Sequence, residues 1–136
     1  MSDEQSYELL GFDNVLLPVG DLAEAVGFYE RAGFAVAFRL DEAGIAVLRV
    51  GGETPGILLR REDGFGHRPP PWPSPRVWLE VPDARVAARE LRNADIALLD
   101  GPFSTATGWT VEIADPWGNV LGFTDYRKRP ELGRRP

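Results

Sequence analysis

Cysteine is absent from the 136 residues, which rules out a disulfide, a thiol nucleophile and a zinc finger. Histidine occurs once, at His67, and no Ser–His–Asp arrangement can be assembled around it. No apolar run reaches the roughly 18 residues a membrane-spanning helix needs. No glycine-rich phosphate loop follows a strand, and Gly51-Gly52 reads as a hairpin turn. Excess positive charge is also missing: the formal net charge is −6, which argues against a nucleic-acid partner. The basic cluster at Arg127-Lys128-Arg129 and Arg134-Arg135 reads as a solvated tail. The opening Met1-Ser-Asp-Glu-Gln-Ser is polar and acidic, the wrong sign for a signal or transit peptide, so a cytoplasmic protein is expected.

What is present is an ordinary globular composition, 43% hydrophobic and 26% charged, sized for one domain. The informative feature is an internal repeat. Val15, Leu17, Val19, Asp21, Ala25 and Ala32 recur as Val77, Leu79, Val81, Asp83, Ala87 and Ala94, at a constant spacing of 62 residues. Tyr29 and Leu91, and Val36 and Leu98, keep apolar character at the same spacing.

Each copy opens with an alternating run, Asn14 to Val19 and Arg76 to Val81, the pattern of a strand with one buried face. Asp21 and Asp83 stand where a helix N-cap belongs. Helices are predicted over Leu22 to Ala32, ended by Gly33, and over Ala84 to Asn93, with Val86, Ala87 and Leu91 as the second apolar stripe. Short β-type runs follow at Phe34–Leu40, Ile45–Val50 and Ile57–Arg60, then at Ile96–Leu99, Trp109–Ile113 and Val120–Thr124. Turns are predicted at Asp41–Gly44, Gly51-Gly52, Gly101-Pro102 and Asp115–Asn119. The fold class is therefore α+β, two tandem βαβββ modules. Module one covers about 10–63, a proline-rich connector 64–75, module two about 76–126 and a tail 127–136.

Two such units, each opening x-V-x-L-x-V-x-D, resemble the glyoxalase/bleomycin-resistance/dioxygenase group, the vicinal oxygen chelate superfamily. The run Ala114-Asp-Pro-Trp-Gly-Asn-Val-Leu-Gly-Phe123 is similar to that group's late D-P-x-G-N turn. The resemblance covers about residues 12 to 126. It implies sheets curled into an open barrel with a concave cavity, and a homodimer. It also implies, in metal-dependent members, a histidine opening the first strand of one or both units and a glutamate on the last strand. Carried over, those positions fall on Asn14, Arg76 and Gly122. A neutral amide, a permanent cation and a residue without a side chain do not suit a divalent metal. A fourth ligand would fall near Ile57–Leu59, where no ligand stands before Glu62. No metal and no cofactor are therefore expected.

Strand parity sends Val15, Leu17, Val19 and Val77, Leu79, Val81 towards the helices. The opposite parity, Asn14, Leu16 and Pro18 with Arg76, Trp78 and Glu80, is expected to line the cavity, joined by Glu112 and Gly122. Glu80 and Glu112 could together hold a hard cation, but an internal pair with Arg76 is the preferred reading. Phe103 and Trp109 flank Ser104–Gly108 and suggest a lid. Trp117 is expected to pack within its turn, and His67 to be a surface-loop histidine. The predicted function is metal-free binding of an aromatic or planar small molecule, with Arg76 available to grip an anionic group. The alternative is a metal-independent or atypical-metal enzyme of the lyase, isomerase or dioxygenase kind, with catalytic residues unassigned. A third class is a purely structural or partner-binding domain, its cavity filled by side chains.

Overall fold

The computed structural model describes residues 8, 10, 13–52, 56–70 and 76–134. Trp72 and the prolines at 71, 73 and 75 lie outside the described residues. The first module runs β1 (Val15–Val19), α1 (Leu22–Arg31), β2 (Ala35–Leu40), β3 (Ile45–Arg49) and β4 (Ile57–Arg61). The second runs β5 (Val77–Glu80), α2 (Ala84–Asn93), β6 (Leu98–Ser104), β7 (Trp109–Ala114) and β8 (Val120–Thr124). Asp21 caps α1 by accepting from the Glu24 amide, and Asp83 caps α2 by accepting from Arg85 and Val86. Gly33 follows α1 with φ +102°; the repeat puts Asp95 in the matching place, also left-handed at φ 62°. Aspartate tolerates that region better than most side chains.

Each module forms its own four-stranded sheet, in the orders β1-β4-β3-β2 and β5-β8-β7-β6. In both, the first and last strands of the module pair in parallel and the other pairs are antiparallel. This is the two-module α+β architecture. Leu17, Val19, Ala46, Leu48, Ile57 and Leu59 are buried with Ala25, Val26 and Tyr29 of α1. Val111, Ile113 and Leu121 are buried with Ala88 and Leu91 of α2. Two details depart from the sequence reading. The buried stripe of α2 is Ala84, Ala88 and Leu91, while Val86 is exposed, because the helix is rotated to set its small residues on the sheet. The strand expected at Ile96–Leu99 instead runs from Leu98 to Ser104, straight through the supposed Gly101-Pro102 turn. An edge strand tolerates proline, whose missing N–H faces outward, and two register shifts absorb the irregularity.

The modules meet through a buried polar knot. Tyr29 of α1 donates its hydroxyl to Asp115 Oδ2 at 2.7 Å. Asp115 also accepts from the amides of Trp117 and Asn119 (both 2.9 Å) and from Asn119 Nδ2 (2.8 Å). Asn119 Nδ2 reaches back to the Pro18 carbonyl at 2.9 Å. Phe34 packs against Phe123 beside this knot, with centroids 6.1 Å apart. Connector residues cross the same turn: Arg68 donates its amide to the Pro116 carbonyl, and His67 pairs with Glu24 and stands edge-on to buried Trp117. Burial pushes the Asp115 carboxyl above its ordinary value, against the lowering effect of its hydrogen bonds. Burial, and then the Asp115 charge and hydrogen bond, push the Tyr29 phenol well above its usual 10.0.

A raised folded-state pKa means that Tyr29 keeps its proton after the unfolded chain has released it. Its contribution is therefore full below the unfolded value of 10.0 and is lost as pH climbs beyond it. Tyr29→Phe should cost about 1–3 kcal/mol near neutral pH, the price of a lost donor on a buried carboxylate. The gap to the parent should narrow above pH 10, read from urea unfolding at each pH. A gap independent of pH would show that the phenol does not titrate with folding.

Candidate functional site

The pairing register of the second sheet assembles the outward-facing residues. Trp78 on β5 stands opposite Gly122 on β8, Gly122 opposite Glu112 on β7, and Glu112 opposite Asp100 on β6. Residues opposite one another share a face, so the four form one row across the sheet, away from α2. Glu112 is only 1% exposed. Its carboxylate is held by two donors, Arg76 Nη1 to Oε1 at 2.7 Å and Trp78 Nε1 to Oε2 at 2.8 Å.

Gly122 makes this geometry possible. A Cβ there would stand 2.5 Å from Trp78 Cδ1 and 2.7 Å from its Nε1. The indole lies across the β8 backbone where any other residue would place a side chain. Trp78 remains 46% exposed, and Phe103 flanks it with ring centroids 6.3 Å apart and planes tilted by 52°. The next row, Glu80, Thr124, Thr110 and Phe103, is in register beside the first, with Thr110 and Thr124 hydroxyls 2.8 Å apart.

Arg76, Trp78, Glu112, Gly122 and Phe103 are thus brought together on one face. Glu80 shares that face but bonds to Arg134 rather than to Arg76. Trp109 is placed elsewhere: it has the parity of buried Val111 and Ile113, and Arg85 of α2 stacks on it at 4.7 Å with Lys128 at 5.2 Å. It braces the start of α2 and does not flank Trp78. Asn14 precedes β1, donates to Asp13 at 3.1 Å, and belongs to the other module. Leu16 pairs with Leu58 on the outward row of the first sheet, which continues to Val47 and Phe38. That row is apolar and open at both ends, with Leu16 49% and Phe38 53% exposed. Arg134 is the site residue that sequence reasoning missed; a basic tail carries no signal for one particular carboxylate.

A family model described as the Glyoxalase/Bleomycin resistance protein/Dioxygenase superfamily matches residues 11–123. The chain belongs to that superfamily. It is 30% identical over 118 residues to a protein of Mycolicibacterium smegmatis, covering 85% of this chain and 93% of that one. Among solved structures it is similar to a glyoxalase/bleomycin resistance protein/dioxygenase from Alicyclobacillus acidocaldarius, at 19% identity and TM-score 0.66 over 86% of this chain and 92% of that one. A superfamily protein from Nocardioides gives TM-score 0.69 at 16% identity, over 96% and 93% of the two chains. At these identities the structural likeness establishes the fold.

The positions at which the superfamily resemblance implies metal ligands do not fit a divalent ion here. Arg76 brings a fixed positive charge already paired with Glu112, and the space above Gly122 is filled by the Trp78 indole. Among the described residues no group of three or more His, Cys, Asp or Glu could hold a metal ion. No helix among them is long and apolar enough to cross a membrane.

The Arg76–Glu112 pair joins a half-exposed cation to a buried anion, so its two halves are unequal. Arg76→Met should destabilise by about 1–3 kcal/mol, because Glu112 keeps only the Trp78 donor. Adding Glu112→Leu should recover part of that loss, giving a coupling energy measurable by urea unfolding. Strict additivity of the two changes would mean that the pair has no energetic coupling.

Proposed function

We propose that the protein is a metal-free small-molecule binding member of the superfamily and that a planar aromatic ligand stacks on Trp78. The observation carrying this reading is the Nε1 hydrogen bond to Glu112 on an indole that is nearly half exposed. A buried tryptophan normally seeks a partner for its N–H. Here that partner is internal and charged, so the ring is held rigid while its π-face is left to solvent. A preorganised platform of this kind lowers the ordering cost of binding. Phe103 adds a second aromatic wall. Arg76 contributes charge balance at Glu112 and is itself half exposed at the rim.

The test removes the ring without abandoning Glu112. Trp78→Gln retains an N–H donor for the carboxylate but offers no stacking surface. It should fold, and should bind a neutral planar probe such as 2-naphthylmethanol about tenfold more weakly, in line with an aromatic pair of about 1–1.5 kcal/mol. Titration calorimetry reads the affinity and thermal unfolding checks the fold. Equal affinity in the parent and Trp78→Gln would reject the stacking site.

A homodimer is part of the same proposal. The row Leu16, Leu58, Val47 and Phe38 leaves large apolar side chains in water at both edges of the first sheet, and Leu40 extends it. A second copy would remove that surface from water. Light scattering at micromolar concentration should report twice the chain mass, and Phe38→Glu should shift it to one. A monomeric parent protein would end this part of the proposal. We place the protein in the cytoplasm on its lack of cysteine, since proteins of oxidising compartments commonly carry disulfides.

A further inference from the structure

The chain after β8 does not leave the domain; it turns back along β5. Asp125 is buried and anchors it, accepting from the amides of Ala84 at 2.7 Å, Trp109 at 3.0 Å and Arg127 at 3.2 Å. Lys128 bonds to Ser104 Oγ and to the Thr105 carbonyl. A single 3-10 turn, Pro130–Leu132, then delivers Arg134 to Glu80. Its main-chain amide donates to Glu80 Oε2 at 2.9 Å and its Nη1 to Oε1 at 2.8 Å. Gly133 permits the approach, since a Cβ there would stand 2.7 Å from Glu80 Oε2.

Between these anchors the segment forms one wall of a cavity of about 780 Å³. Trp78, Val81, Pro82, Tyr126, Pro130 and the Gly51-Gly52 turn of the first module also line it. The volume lies within the range of small-molecule sites. The two ends of the segment differ in strength. Asp125 is fixed by buried main-chain donors, whereas the Arg134 side chain is largely exposed and the Glu80 side chain is mostly covered. The Arg134 guanidinium meets Glu80 from the solvent side, so this end is the one open to competition from a ligand cation.

We propose that this cavity takes a planar ligand bearing a cationic group, and that the cation replaces Arg134 on Glu80. The C-terminal segment is then a latch that gives way as the ligand seats. The proposal rests on Trp78 being the stacking surface, and adds the head group and the latch. Glu80 supplies a shielded carboxylate that attracts a cation strongly once its present partner leaves. The exposed indole next to it favours the same charge through its π-face. On the other side Arg76 is paired with Glu112, so an anionic head group would meet Glu80 and Asp100 on the two outward rows. A cation on Glu80 would reverse the charge preference that the sequence suggested through Arg76.

Three probes with one ring separate the contributions: 2-naphthylmethylammonium, 2-naphthoate and 2-naphthylmethanol. Each is titrated calorimetrically into the full chain, with the Trp78 indole N–H resonance followed in parallel and identified with Trp78→Phe. The ammonium should bind more tightly than the carboxylate. Arg134→Ala should raise ammonium affinity by about two- to fivefold, the worth of an exposed ion pair, and leave the alcohol unchanged. Glu80→Gln should abolish the preference for the ammonium. If Arg134→Ala leaves ammonium affinity unchanged or lowers it, the latch is overturned. If the alcohol moves the Trp78 resonance while the ammonium ignores both variants, the cation site fails and the stacking surface stands. If no probe moves the resonance, both fall.

Discussion

The arrangement of this molecule depends on one buried carboxylate. Backbone hydrogen bonding closes separately inside each four-stranded sheet, so no continuous ladder fixes one module against the other. Asp115 supplies the polar tie within an apolar cluster that both modules share. It takes the Tyr29 hydroxyl from the first module and three donors from its own turn, and Asn119, oriented by it, holds the Pro18 carbonyl. The same turn connects β7 to β8. Glu112 stands three residues before Asp115, and Gly122 three after Asn119, so the knot that joins the modules also sets the pairing that places these two opposite each other. Burying such a group is costly unless its lone pairs are occupied, and here both oxygens are.

From that register follows an internal ion pair that takes in one of the positions at which the superfamily resemblance implies a metal ligand. A buried carboxylate needs compensating positive charge from some source. Arg76 brings it from the position where the superfamily resemblance implies a histidine, and Gly122, at the glutamate position, makes room for the indole that supplies the second donor. The substitutions are interdependent. A side chain at 122 would displace Trp78, a displaced Trp78 would leave Glu112 with one donor, and loss of Arg76 would leave it nearly uncompensated. Trp78 and Arg76 remain about half exposed around the buried Glu112, and Glu80 beside them is held by Arg134.

Much of this was legible in the chain itself. A constant spacing of 62 residues exposed the duplication, and alternation put Arg76, Trp78 and Glu80 on one face, because both signals are local and periodic. Partnership across strands was not legible. Which acid Arg76 meets depends on register, and alternation within a strand says nothing of its neighbour. The course of β6 was obscured by Gly101-Pro102, where a turn signal coincides with an irregular edge strand. For Trp109 the signal existed: it lies three residues from Glu112, and an odd separation along an unbroken strand puts two side chains on opposite faces. Arg134 was out of reach, since its partner lies 54 residues away and nothing periodic links them.

The two copies also differ in an informative way. On the face turned to the helices, Val15, Leu17 and Val19 repeat unchanged as Val77, Leu79 and Val81. On the other face Asn14, Leu16 and Pro18 become Arg76, Trp78 and Glu80. Leu17 and Val19 are buried there and Leu79 and Val81 packed against the core, where close packing tolerates little change in volume, while Val15 at the strand end is 40% exposed. The demand on the outward face is of another kind: Arg76, Trp78 and Gly122 must together accommodate the buried Glu112 carboxylate. In the first module the row Leu16, Leu58, Val47 and Phe38 on that face is apolar, with Asn14 and Arg60 as its polar neighbours. The other has equipped it with an indole, a guanidinium and two carboxylates held in fixed relation. The two outward faces thus carry different chemistry, an apolar row on one and an indole with charged partners on the other, over a shared helix-facing pattern.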